Sequence, residues 1–135
     1  MSNITQVVNT DKNMTTLKKG VHASDLDQLL SSTGPFTFFA PLNLAFDKLE
    51  EGTMKNLLEP ENKTVLTSLL HHHVVAGKIP FKDLKDGEKL KSLGGKELSV
   101  TITGNEVHID GSLIQSHDIK TTNGVMHTLD TVLAD

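Results

Sequence analysis

Cysteine is absent from this chain of 135 residues, which removes disulfides, thiolate metal sites and a cysteine nucleophile. Arginine is absent too: all 13 basic residues are lysine, and the formal net charge is −4. The forked guanidinium that grips phosphates and guanine edges is therefore missing, and nucleic acid is not an expected partner. Long apolar runs are lacking. No stretch approaches the ~20 residues that cross a bilayer, so no membrane span is expected. Met1 to Thr10 carries neither the basic start nor the apolar run of a signal peptide. Gly-rich phosphate loops, His-Glu-x-x-His helices and Gly-x-Ser-x-Gly elbows do not occur, so nothing points positively to catalysis and the chain reads as a non-enzyme. Ser116-His117-Asp118 contains the residue types of a hydrolase triad, but sequence neighbours cannot place nucleophile, base and orienter in line.

What is present suffices for one domain, residues 1–135, expected to be a monomer. A chain of this length buries roughly two thirds of the surface its unfolded form exposes, so it needs no metal or disulfide staple. The first half carries helical spacing. Ile4, Val7 and Val8 stand at i, i+3 and i+4, and Leu17 and Val21 continue such a face, with a break expected at Gly20. Ser24 ahead of Asp25 and Asp27 reads as a helix start before Leu26, Leu29 and Leu30. Phe36 to Ala40 is too short and too aromatic for a helix and reads as a strand stopped by Pro41. Asn43 then reads as the cap of a short helix carrying Leu44, Phe46 and Leu49. Val65, Leu66, Leu69 and Leu70 form the longest apolar helical face, running toward His71-His72-His73.

From Val74 onward the period changes to two. Leu98, Val100 and Ile102 alternate with polar residues, as do Val107 and Ile109. A last strand, Val125 to Leu133, puts Val125, His127 and Leu129 on one face and Met126, Thr128 and Asp130 on the other. Gly94-Gly95, Gly104-Asn105, Asp110-Gly111 and Asn123-Gly124 fall between these runs, where hairpin turns need positive φ. Helices first and an antiparallel sheet second is the pattern of an α+β domain.

Three motifs lie on that frame. Gly34-Pro-Phe-Thr-Phe-Phe-Ala-Pro-Leu-Asn-Leu-Ala-Phe46 closely resembles the first signature of the fasciclin-like family, an aromatic strand followed by Ala-Pro and a short helix. Asn123-Gly-Val-Met-His-Thr-Leu-Asp-Thr-Val-Leu133 resembles the second, and Leu69-Leu-His-His-His-Val-Val-Ala-Gly77 is similar to the central Leu-Leu-x-Tyr-His-Val-Val-x-Gly stretch. The resemblance runs from Asn3 to Leu133 and points to the single-domain, bacterial secreted type. It implies a helical N-terminal half packed on a twisted antiparallel β-wedge or sandwich. It also implies an extracellular or periplasmic location and adhesion to a cell-surface or matrix protein or polysaccharide. Two departures stand out: His72 replaces the tyrosine of the Tyr-His pair, and Leu42 replaces a usual threonine, with Leu44 where a polar residue is common.

By that analogy the partner-facing surface comprises Pro41, Leu42, Asn43, Leu44 and Phe46, together with His71, His72, Val74 and Val75. His73 and His127 read as internal posts whose ring nitrogens need a backbone carbonyl or an acid such as Asp130. Asn123 and Gly124 read as the turn that sets the register of the last strand. The three adjacent histidines also suggest an alternative, a small-ligand or metal-binding exported protein using His71 to His73. Adjacent ligands rarely share one ion, however, and no Cys or carboxylate set completes a tetrahedron, so no metal or cofactor is expected. Finally, Lys78, Lys82, Lys85, Lys89, Lys91 and Lys96 crowd one stretch. Edge-strand charges that prevent aggregation account for them, and so does contact with an anionic polysaccharide or phospholipid surface.

Overall fold

The amphipathic segments of the first half form short helices in the computed structural model of the chain, which describes residues 2–133. They are α1 (Ile4–Thr10), α2 (Thr15–Ala23), α3 (Leu26–Leu29), α4 (Asn43–Asp47), α5 (Thr53–Leu57) and α6 (Lys63–His71). The strands are β1 (Phe36–Pro41), β2 (Val74–Ala76), β3 (Lys89–Lys91), β4 (Glu97–Thr103), β5 (Glu106–Ile109), β6 (Ser112–Leu113), β7 (Ile119–Thr121) and β8 (Gly124–Leu129). Of the expected domain 1–135, Met1, Ala134 and Asp135 lie outside the described residues.

Three helix boundaries differ from expectation, each for a local reason. Gly20 does not break a helix. The chain turns earlier, between α1 and α2, and Gly20 is buried inside α2 against Leu70 and Met54. Ser24 closes α2 instead of opening α3, its hydroxyl donating to the Gly20 carbonyl at 2.8 Å. Asn43 is the first residue of α4, with Leu42 at the cap position, so its side chain is free to serve elsewhere.

The strands form two four-stranded sheets in the orders β2-β1-β8-β7 and β3-β4-β5-β6. The second is antiparallel throughout, its strands joined in sequence order. The first corrects the expectation of a purely antiparallel sheet drawn from the second half. β1, from the helical half, lies inside it, antiparallel to β2 and parallel to β8, in register from Phe36↔Gly124 to Pro41↔Leu129. The long chain between β1 and β8 supplies the connection that parallel neighbours require. β8 ends at Leu129, before the expected Leu133, because the Asp130 side chain accepts the Leu113 N–H and draws the chain toward β6.

Both central strands are buried on both faces. Phe38, Ala40 and Met126 meet Ile4, Leu17, Val21, Leu66 and Leu70 of the helical layer. Phe39 and Leu129 meet Leu98, Val100 and Ile109 of the second sheet. The result is three layers: helices, mixed sheet and antiparallel sheet. Bridges Val75↔Ser92 and Ile114↔Leu129 join the two sheets at separate corners.

Turn chemistry is partly as expected. Asp110 at φ 50 and Gly111 at φ 83 make the two-residue turn between β5 and β6. Between β7 and β8 the turn residues are Thr122 and Asn123, since Thr121 pairs with Gly124 and Gly124 already belongs to the strand. Gly124 is required by contact: a Cβ there would overlap the Phe36 carbonyl oxygen, a backbone atom that cannot swing aside. Gly20 is the opposite case, for its added Cβ would sit 3.4 Å from Leu70, an ordinary contact. Gly124→Ala is therefore expected to lower unfolding free energy by about 3 kcal/mol. Gly20→Ala is expected to raise it by up to ~1 kcal/mol through helix propensity. Urea midpoints check both, and a Gly124→Ala midpoint equal to wild type would contradict the close approach.

Candidate functional site

Two of the buried imidazoles, those of His127 and His73, are saturated by backbone groups. His127 stands opposite Phe39 across the β1–β8 pair, with ring centroids 5.6 Å apart. Its Nδ1 accepts the Asp118 N–H at 3.1 Å. An amide only donates, so the ring proton sits on Nε2 and is given to the Ile79 carbonyl at 2.8 Å. His73, at the turn from α6 into β2, carries the opposite tautomer. Its Nε2 accepts the Leu133 N–H at 3.0 Å, and Nδ1 donates to the Leu69 carbonyl at 2.9 Å. Each ring is neutral, and each ties together segments remote in sequence.

Their environments hold them neutral. Burial pushes the His73 imidazole down to about 4, against the opposing effect of the Leu69 hydrogen bond, and His72 and Lys96 depress it further. Burial also lowers His127, against the Ile79 hydrogen bond and the Asp118 carboxylate, which favour the charged ring. Asp130 partners neither histidine, which corrects the acid suggested from sequence. It lies just past the end of β8, where its side chain accepts the Leu113 N–H at 3.0 Å. Partial burial pushes its carboxyl up, but hydrogen bonds from Thr131 and Leu113 and the Lys48 ammonium outweigh that and hold it below its ordinary value.

Asn123 does more than turn the chain. Its buried Oδ1 accepts the Ile4 N–H at 3.1 Å, and Nδ2 donates to the Leu30 and Ser32 carbonyls at 2.7 and 2.8 Å. Its own carbonyl accepts the Phe36 N–H at 2.9 Å. One side chain and one carbonyl therefore join the start of α1, the end of α3 and the start of β1. Thr37 escaped sequence reasoning altogether. Fully buried in β1, its hydroxyl donates to the Gly77 carbonyl and accepts the Ile79 N–H, each at 2.8 Å. A lone hydroxyl amid the aromatic run was the only signal.

The residues assigned to a partner surface are divided by the fold. Pro41, Phe46, His72, Val74 and Val75 are buried, so their side chains meet the interior. Asn43 is committed to α2: its Oδ1 accepts the Thr16 N–H at 3.0 Å, and Nδ2 donates to the Lys12 carbonyl at 3.2 Å. It thereby caps a helix whose own cap residue, Met14, makes no side-chain hydrogen bond. Leu44, 46% exposed, reaches solvent, with Leu42 and His71 partly accessible. The three adjacent histidines occupy separate environments: His71 is half-buried, His72 packs against Gly94, and His73 is enclosed. Among the described residues no three His, Cys, Asp or Glu side chains cluster as a metal site. Ser116 and His117 diverge as well, the Ser116 N–H donating to Thr128 while the His117 ring stacks on Phe81 at 3.8 Å.

The neutral imidazoles make stability pH-dependent. With the folded value of His73 below its unfolded 6.5, the unfolded chain binds the extra proton between pH 6.5 and about 4. The contribution is intact above pH 6.5 and is lost as pH falls toward 4, on the order of 3 kcal/mol, with His127 acting in the same direction. Urea midpoints measured from pH 7 to 4 should fall throughout. A constant midpoint over that interval would contradict buried neutral rings.

With the signature strands paired side by side and both histidines placed inside, comparison with known proteins is direct. The fasciclin domain model matches residues 12–135. The chain is 40% identical over 130 residues to protein sll1483 of Synechocystis sp., covering 96% of this chain and 72% of that one. It is 34% identical over 134 residues to the transforming growth factor-beta-induced protein ig-h3 of Sus scrofa, covering 98% of this chain but 19% of that longer protein. Among solved structures, a FAS1 domain pair from the insect cell adhesion molecule fasciclin I superposes with a TM-score of 0.88 at 20% identity, over 99% of this chain and 51% of that chain. Among the described residues no helix is long and apolar enough to cross a membrane. The family match over nearly the whole chain and the shared three-layer fold give one conclusion: this protein belongs to the fasciclin domain family.

Proposed function

We propose that this domain is a non-catalytic adhesion module acting in the extracellular space or periplasm, where it holds a cell-surface or matrix protein or polysaccharide. The observation that carries this reading is the commitment of two fully enclosed imidazoles. His73 and His127, the buried groups best suited to proton transfer, each have both ring nitrogens engaged by backbone. They serve as cross-links of a rigid scaffold, and recognition falls to exposed loops and helix starts. The shared fold of fasciclin I, an insect cell adhesion molecule, supports the same reading.

Between Pro41 and Phe46, Leu44 is the exposed residue, since Pro41, Ala45 and Phe46 are buried, Leu42 is half-buried and Asn43 caps α2. An exposed apolar residue at the start of a helix, beside partly accessible Leu42, suits an anchor for a partner surface. Beads coated with the protein should be retained under shear on the cells or matrix of the producing organism. Leu44→Asp should cut retention about tenfold while leaving the melting temperature unchanged. Wild-type beads retained no better than albumin-coated ones would overturn the adhesion reading.

A further inference from the structure

One cavity away from Leu44 is ringed by positive charge. It encloses about 410 Å3 and is lined by Lys78, Pro80 and Lys82 from the segment after β2, by Asp118 and Lys120 from the approach to the last hairpin, and by Val125 of β8. The register alone does not bring the lysines together, because β2 and β7 are the opposite edges of the mixed sheet. Lys120 pairs with Val125, Val125 with Thr37, and Thr37 with Val75, a row across the mixed sheet on the face that meets the second sheet. The segment after β2 crosses that row, Ile79 bonding to Thr37 and His127 and Phe81 to Asp118, so lysines some forty positions apart in sequence border one space.

The walls are fixed from the interior. Thr37 holds Gly77 and Ile79, the two residues flanking Lys78. His127 holds the Ile79 carbonyl on one wall and the Asp118 N–H on the other. The Asp118 carboxylate accepts the Phe81 N–H at 3.0 Å, which fastens the segment before Lys82. It also meets the His117 ring at 2.9 Å, so this acid is turned to its own neighbours. Lys78, Lys82 and Lys120 are exposed, and among the described residues none has a carboxylate within 4 Å. The other lysines of the same run differ: Lys89 and Lys91 lie on edge strand β3, and Lys96 stands 3.7 Å from Asp110.

We propose that this cavity binds an acidic glycan through carboxylate or sulfate groups on its sugar rings. The proposal rests on the adhesion reading and names the chemistry of one partner. Ammonium groups on flexible stems suit anions at variable positions around a ring, and the lysine stems with Pro80 and Val125 offer apolar surface to its C–H face. A lipid surface fits less well, because the exposed large apolar residues Leu44, Val65 and Leu93 do not line the cavity and leave nothing there to insert.

The test is binding of the whole chain to immobilised polygalacturonate, dextran sulfate and neutral dextran at increasing salt. The two acidic polymers separate carboxylate from sulfate. Wild type should bind at least one of them, should not bind neutral dextran, and should lose affinity as salt rises. The variant K78Q/K82Q/K120Q should lose about tenfold or more with an unchanged melting temperature. The variant K18Q/K19Q/K55Q removes equal charge from exposed helix positions and should retain binding within about threefold. Equal loss in both variants would overturn the site, as would wild-type binding to phosphatidylserine vesicles and to neither glycan. Wild-type beads that adhere to cells while the protein binds neither glycan would overturn the cavity assignment alone and leave the adhesion reading standing.

Discussion

The parallel pairing of β1 with β8 is the constraint on which the other elements depend. Parallel neighbours cannot be joined by a tight turn. Here the connection holds α4 to α6 and β2 to β7, so the pair closes only when most of the chain is arranged around it. Because both strands are covered on both faces, one face anchors the helices and the other the second sheet. The pairing begins where backbones touch most closely, at Phe36 and Gly124, with the Asn123 amide holding α1 and the end of α3 to the same corner.

A chain without cysteine has to link distant segments by other means. Neutral imidazoles do so here, each using one nitrogen as donor and one as acceptor. A buried ring left with an unpaired nitrogen would cost stability, so both partners must be in place for the ring to be accommodated. His73 joins α6 to the segment ending at Leu133. His127 joins the loop after β2 to the turn before β7, and through those contacts the scaffold shapes its own surface. Fold and the proposed recognition site are connected at that ring: His127 completes the interior and holds both walls of the lysine-lined cavity.

Much of the fold was legible in the sequence. Helical spacing located the helices, the aromatic run located β1, and alternation located β4, β5 and β8. The packing of helices on a sheet was legible from the motifs' resemblance to a family. Strand direction was not, because periodicity two reads the same in either direction. Asn43 and Ser24 each looked like a cap for the helix that follows, and each serves α2, since a capping side chain can act across space or backward along the chain. Partners of His73 and His127 were hidden because backbone groups leave no mark in a sequence, whereas nearby Asp130 drew attention by proximity. The candidate site was the least legible. Lys120 stands far along the chain from Lys78 and Lys82, and the backbone contacts of Ile79 and Phe81 with Thr37, His127 and Asp118 bring them together.

If β1 and β8 hold the molecule together, their backbone should open last. Native-state hydrogen exchange tests this most directly. Slow amides of Phe38, Ala40 and His127, which face the partner strand of the pair, should exchange only through global unfolding, with an opening free energy equal to that from denaturation and at least as high as any in β3 to β6. Exchange of those amides through a smaller opening, while Val100 and Ile109 stay protected, would show that the second sheet is the stable unit and contradict the central role of the parallel pair.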